Sequence, residues 1–414
     1  MRESLRLTLR ALVRGHVLTL LLTAVALVHV LFPSIVRGDN TAAGWREMFI
    51  RAVPGFVVAV VLVVTLACAC GFFSRERETN RLALTVVRPA SAFSVAVGRW
   101  LALCGVAAMT LALNAVLTFA RIPDAPDCRH HVAPILPPPS VIARQMMEEY
   151  LQDPSTPEAV KKAPRSRVLE LLTNREKDRY DAIAPKDQQS WSFPVGGSCS
   201  GLAVRVCLSS ASSMSRSARG TLTFGSLSAV VSNNTQTLVD IPLVGTFDEL
   251  PATNNLVFAN TGTVPMMLRP RRDIELLLPA DSFLANLVRA TLQSLAVLAL
   301  LAAFGIFLSA SLSRPVAIFT ALVMLVVALM APDTLDQFTE ELDISLGDRI
   351  GLALSRGVAF ITAAFMAPSP VSDLATGRCI EWGDLAKTML EDLLVWPVVF
   401  LSLSAMLVRR RPIT

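Results

Sequence analysis

Asp127-Cys128-Arg129-His130-His131 puts a carboxylate, a thiol and two imidazoles at nearly consecutive positions, a mixture of donors that suits a transition metal. Adjacent imidazoles rarely converge on one ion and no second ligand group accompanies them, so the run weighs against a metal centre. Cys199 and Cys207 could bridge only if a turn lay between them, because an extended strand would hold them too far apart. The seven cysteines include no Cys-x-x-Cys pair, so neither zinc-ribbon nor thioredoxin chemistry is suggested. Histidine is scarce as well: His16, His29, His130 and His131 are all there is for imidazole acid–base work. No Gly-x4-Gly-Lys-Ser/Thr phosphate loop, Gly-x-Ser-x-Gly elbow, His-Glu-x-x-His pair or dinucleotide glycine pattern occurs. The chain therefore reads as a non-enzyme with no cofactor of its own. The stretch with most chemistry left to offer is the charged run Ser74-Arg75-Glu76-Arg77-Glu78-Thr79-Asn80-Arg81, followed by Leu82–Val87, Arg88-Pro89 and Gly98-Arg99.

What holds that run in place is membrane-like sequence. The 414 residues are 53% hydrophobic and 17% charged, against about 45–50% and about 25% in ordinary globular proteins. Six apolar runs are long enough to approach a bilayer-spanning helix: about Val17–Phe32, Val53–Phe73, Trp100–Phe119, Leu287–Ala310, Pro315–Met330 and Leu393–Val408. The first is expected to be retained rather than cleaved as a leader, since its flank is long and no small-residue cleavage site follows. Ile350–Ala367 is also apolar but carries Arg356 in its middle and Arg349 just before it, a costly arrangement in hydrocarbon. It is read as a re-entrant or interfacial helix over 349–367.

Charge distribution supports six spans with both ends on one side. The pieces Met1–His16, Ser74–Arg99, Ser311–Arg314 and Arg409–Thr414 then share thirteen arginines against three glutamates, whereas Ala331–Asp392 nets −7. Cytoplasmic loops accumulate Arg and Lys, so both termini and the segment 74–99 are expected in the cytoplasm. Arg2, Arg6, Arg10 and Arg14 form one stripe of an amino-terminal helix, with Leu5, Leu9, Leu12 and Val13 off it. Such a helix suits a membrane surface with anionic headgroups. Within the spans the polar residues are few. Asn114, Asn286, Arg289 and Gln293 are read as a translocation path or as interhelical polar contacts, and no intramembrane acid is expected.

Residues 121–285 differ in character. Pro137-Pro138-Pro139-Ser140 leads into helical periodicity over Val141–Leu151 and Arg165–Ala184, with Ser140 as the expected cap. From Trp191 the period changes to two, and short alternating runs continue to Leu278. The expectation is a helical part over 140–185 and an antiparallel β-sandwich over 191–280. Trp191, Phe193 and Phe224 fit its core better than a ligand platform. The fold class is thus an α-helical polytopic membrane protein of six transmembrane helices with an inserted α+β extracytoplasmic domain. Its parts are 1–120, 121–285 and 286–414.

The loop between the second and third spans resembles that of permease subunits of ABC-2 type exporters. Those carry an acidic–basic patch after the second span, a Leu-rich stretch ending in Pro, and a Gly-Lys/Arg pair opening the third span. The matching positions are Arg75–Arg81, Leu82–Pro89 and Gly98-Arg99, and Arg409-Arg410-Arg411 sits where such chains often end in an arginine-rich tail. The resemblance implies a bacterial inner-membrane subunit that works as a homodimer or heterodimer and docks a separate ATPase, where ATP and Mg would bind. Arg75, Glu76, Arg77, Glu78, Arg81, Arg88 and Pro89 would be the coupling residues. The outer domain would meet cargo or an envelope partner, and no nucleic acid is implied. A mechanotransmission or assembly scaffold that moves no substrate stays open beside this reading. A membrane-anchored sugar- or peptide-binding receptor is weaker, since anchoring one domain does not need six spans.

Overall fold

The computed structural model describes residues 1–35, 42–79, 91–153, 161, 165–177, 179–195, 197–210, 217–234, 238–243, 246–250, 253–330 and 370–410. In hydrocarbon a helix satisfies its own backbone amides and carbonyls, which is why the apolar runs fold as rods. In chain order they are α1 (Arg2–Arg14), α2 (Val17–Ile35), α3 (Ala42–Glu78) and α4 (Ala92–Arg121). An inserted segment follows with α5 (Pro139–Gln152), α6 (Arg165–Lys177) and thirteen described strands. After it come α7 (Phe283–Ser311), α8 (Arg314–Met330), α9 (Pro370–Thr376) and α10 (Trp382–Leu390); α10 passes through a π-helical turn, Glu391–Val395, into α11 (Trp396–Arg410). Two units result, one built from Met1–Asp127 with the described residues from Ser282 onward, the other from Cys128–Asp281.

Among the described residues five helices are long and apolar enough to cross a bilayer: α2, α3, α4, α7 and the α10–α11 rod. The chain is a multi-pass membrane protein. Where a sixth span is expected, α8 is apolar but has 17 residues. Side chains such as Leu20, Val30, Val116 and Phe319 are more than 60% exposed on these helices, an arrangement that water disfavours and acyl chains accept. α7 is the central rod, with 78% of its most apolar window buried against 17% for α2. Close approach explains part of this. A Cβ on Gly305 of α7 would lie 2.7 Å from the Ala69 Cβ of α3, so these two backbones meet where only a hydrogen fits.

The last rod corrects the expected sixth span, which was to begin at Leu393. Helix starts instead at Trp382, so Asp384, Lys387, Glu391 and Asp392 are helical rather than part of a loop. Leu385 and Asp392 are buried while Asp384, Lys387 and Glu391 face outward. Pro397 has no amide proton to donate to the preceding turn, and the π-helical turn sits just before it. Charge pattern alone hides this register, because Asp392 is an acid on the buried face. The apolar segment 349–367 lies outside the described residues.

In the Cys128–Asp281 unit all described strand pairs are antiparallel. One four-stranded sheet has the order β1 (Arg129–Val132), β13 (Ile274–Pro279), β5 (Ala203–Cys207), β9 (Leu238–Pro242). A second has the order β3 (Gln188–Phe193), β11 (Asn254–Asn260), β7 (Ser217–Phe224), β8 (Leu227–Asn234). Alternate residues of both enter one core, in which Val204, Leu276, Phe193, Phe224, Leu256 and Phe258 are all fully buried. Trp191 is also in that core, 4% exposed, in agreement with a packing role. Gly220 on β7 is required there, because a Cβ would come within 2.4 Å of the Phe258 ring.

Two local expectations fail in this unit. Helical periodicity suggested a helix from Arg165 to Ala184, yet α6 ends at Lys177 and Asp181–Ile183 form β2, paired with β12 (Met266–Leu268). Burying Ile183 in the sheet core outweighs the local helical pattern. Ser140 does not cap α5; the cap position is Pro138 and Pro139 opens the first turn, where its missing amide proton costs nothing.

Candidate functional site

α3 does not end with the membrane-like sequence but continues through Arg75, Glu76, Arg77 and Glu78, so the expected charged turn is the last turn of a helix. Periodicity then sorts the four charges. Arg75 and Glu78 are exposed, whereas Glu76 and Arg77 are partly buried. Glu76 pairs with Arg99 of α4, and Arg77 donates to the carbonyl of Leu312, which follows α7. Arg99 itself is 7% exposed, and its guanidinium lies 4.4 Å from the centre of the Phe73 ring, a favourable placement for a desolvated cation. Arg81, Arg88 and Pro89 lie outside the described residues.

α1 completes the junction. Its face bearing Leu5, Thr8, Leu9 and Leu12 packs inward while Arg2, Arg6, Arg10 and Arg14 are exposed, as the stripe predicts. The contact with α4 is close: a Cβ on Gly98 would lie 2.8 Å from the Ser4 Cβ, and the Ser4 hydroxyl donates to the Val95 carbonyl at 3.1 Å. The Gly98-Arg99 dipeptide thus has a physical meaning. Glycine admits α1, and the next residue reaches α3. Trp100 continues the pattern by donating its indole N–H to the Ala299 carbonyl of α7 at 2.8 Å.

The polar residues of the spans fall into a different arrangement. Asn286 donates to the Arg378 carbonyl at 2.8 Å and accepts from the Ile380 amide at 2.9 Å. Arg289 donates to the Ile380 carbonyl at 3.0 Å and lies 4.5 Å from the Trp382 ring centre. These two clamp the turn between α9 and α10 onto α7. Gln293 and Asn114 are 2% and 6% exposed, each with a side-chain oxygen that has no hydrogen-bond partner among the described residues. His29, which the apolar pattern of α2 hides, is buried beside Thr118, 3.4 Å from its hydroxyl. Asp392, on the buried face of the last rod, was missed because charge marked it as a loop residue.

Of the five-residue metal-like run, Arg129, His130 and His131 belong to the edge strand β1, and Asp127 and Cys128 precede it. His131 on β1 contacts the Glu275 carboxylate of β13 at 2.8 Å through Nδ1. His130 and His131 are successive strand residues, whose side chains leave opposite faces, and the described residues contain no group of three metal-ligand side chains. Cys207 is a free thiol, and the Cys199 side chain lies outside what the structure describes. Burial pushes the Cys207 thiol up from its ordinary value, the Asp273 carboxylate adds to that, and Arg269 opposes it.

No protein-family model, curated protein or solved structure matches the chain.

Proposed function

We propose that the chain is the membrane-spanning, non-catalytic subunit of an ATP-driven exporter of the ABC-2 type, with ATP and Mg bound on a separate ATPase. The observation that carries this reading is the junction at the end of α3. Arg75 and Glu78 face outward from a helical turn whose other two charges are tied to α4 through Glu76–Arg99 and to the end of α7 through Arg77–Leu312. A partner pressing on the exposed charges would move three long helices together, because both links are charge-assisted and partly desolvated. In this reading there are six spans, α8 among them, in a bacterial inner membrane with both termini cytoplasmic. The Cys128–Asp281 unit is then an extracytoplasmic β-sandwich domain that meets cargo or an envelope partner, and the subunit pairs with itself or with a second permease.

The test follows from the sorting of charges. Arg75→Glu with Glu78→Lys inverts the outward face and leaves the internal pairs intact. Co-purification of an ATPase chain lost in this variant, with the membrane protein still folded, supports the proposal; undiminished association counts against the docking surface.

A second reading, a mechanotransmission or assembly scaffold, is favoured by one observation. Asn286 and Arg289 hold the α9–α10 turn rather than lining an open path. Cargo flux in reconstituted vesicles separates the two readings, since the scaffold predicts ATPase association without transport.

A further inference from the structure

Arg99 gives one guanidinium nitrogen to Glu76 and lays its plane against Phe73, but its Nη1 has no hydrogen-bond partner among the described residues. The residue is more than nine-tenths buried. An unmade hydrogen bond on a buried cation is unfavourable, which points to an occupant that would complete it. The space beside it is a cavity of about 560 Å³ between α1, α3 and α4, within the range of ordinary small-ligand sites.

Two kinds of wall meet in this cavity. Arg2 and Arg99 supply cationic donors, while Leu7, Ala11 and Phe72 supply apolar surface. Two carboxylates also border it: Glu76 is held by Arg99, and Glu3 lies in the exposed first turn of α1. The Ser4 and Thr8 hydroxyls direct their protons to the Val95 and Ser4 carbonyls, so among the lining side chains the guanidinium groups are the donors left to a ligand. The arginine stripe of α1 is suited to a membrane surface, where phosphate headgroups are concentrated.

We infer that the cavity between α1, α3 and α4 binds a phosphate group through Arg99 Nη1 and Arg2, with the apolar tail of a phospholipid along Leu7, Ala11 and Phe72. A guanidinium offers phosphate oxygens charge-assisted N–H donors in a planar fork. This site does not depend on the transport proposal, since it needs neither an ATPase nor cargo.

The experiment uses the full chain in detergent, with phosphatidylglycerol, phosphatidylcholine and inorganic phosphate as separate probes. Native mass spectrometry reads lipid retention, and phosphorus NMR titration reads inorganic phosphate. Retained phospholipid is expected, weakened about tenfold by Arg2→Gln and by Arg99→Gln, the worth of one charge-assisted hydrogen bond. Glu3→Gln removes a repelling charge and is expected to tighten phosphate binding. Ala11→Trp fills the apolar side and is expected to expel lipid while sparing inorganic phosphate. Inorganic phosphate binding without lipid retention would overturn the lipid assignment. Binding by neither probe, or binding unchanged in Arg2→Gln and Glu3→Gln, overturns the site. Those two exposed positions decide the matter if Arg99→Gln does not fold.

Discussion

Arg99 and Glu76 pair across the boundary between α4 and α3, the guanidinium almost wholly buried and the carboxylate side chain 28% exposed. This asymmetry decides which partner matters more. Removing Glu76 strands a buried cation, whereas removing Arg99 leaves a carboxylate that water can still reach. Leaving a buried charge without its partner typically costs about 3–5 kcal/mol. Glu76→Leu is therefore expected to cost about 3 kcal/mol and Arg99→Leu less, with the double variant milder than the sum of the two. Unfolding of the purified protein in mixed micelles measures the cycle. Additive losses would mean the pair carries no coupling.

Gly98 fixes how near α1 comes to α4. An added Cβ would meet Ser4 at 2.8 Å and the Leu5 amide nitrogen at 3.1 Å, backbone-backed contacts that a rotamer change cannot relieve. Gly98→Val is expected to destabilise the packed helix by about 1–3 kcal/mol, the usual cost of overpacking, and to loosen α1. Cleavage by trypsin at Arg6 and Arg10 should then be faster than in the wild type. Gly105→Ala is the internal control, because nothing lies within 4 Å of the new methyl. It is expected to be neutral or stabilising by up to about 1 kcal/mol. Equal protease sensitivity in both variants would remove Gly98 as the cause.

The long helices were legible because a run of about twenty apolar residues has few other ways to satisfy its backbone in a membrane. The core strands around Val204, Leu256 and Leu276 were legible for a related reason, since period-two alternation tracks a half-buried sheet. What failed was local in appearance and tertiary in cause. Asp181–Ile183 read as helix until a distant strand at Met266–Leu268 claimed it. Asp392 read as loop because a charge usually marks one, and only the packing of the last rod shows its buried side. The seven proposed coupling residues could not be sorted from spacing alone. That required knowing that α3 continues past Phe73, which places Arg75 and Glu78 outward while Glu76 and Arg77 reach neighbouring elements.

Cys207 offers a titration outside the membrane helices. Its thiol is held above the ordinary range first by burial and second by the Asp273 carboxylate. The folded chain therefore keeps this proton more firmly than the unfolded chain. That contribution to stability is present below the unfolded thiol value and is lost as pH rises through the folded one. Asp273→Asn removes the repulsion and leaves the opposing Arg269 in place, so the thiol moves down toward its ordinary value. Each unit recovered raises the thiolate about tenfold at a pH below the transition. Alkylation of the Cys207 peptide by iodoacetamide at pH 8, followed by mass spectrometry, is expected to be several-fold faster in the variant. An unchanged rate in a protein with native circular dichroism would show that the carboxylate does not reach the sulfur electrostatically.

Asn286 and Arg289 give the clearest separation between a structural clamp and a transport path. Asn286 behaves as a stand-in for backbone, giving one bond to Arg378 and taking one from Ile380. Asn286→Leu therefore leaves the buried Ile380 amide without this partner, at a cost of about 1–3 kcal/mol, and frees the partly buried Arg378 carbonyl. Arg289→Met keeps much of the side-chain volume but loses the bond to the Ile380 carbonyl and the contact with Trp382. Both variants are expected to free the turn at Arg378–Glu381, read as faster amide exchange there with little change in the Arg129–Pro279 strands. A residue that served only to contact a passing substrate would instead leave exchange of this turn unaltered and change flux alone. That outcome would return Asn286 and Arg289 to the translocation path.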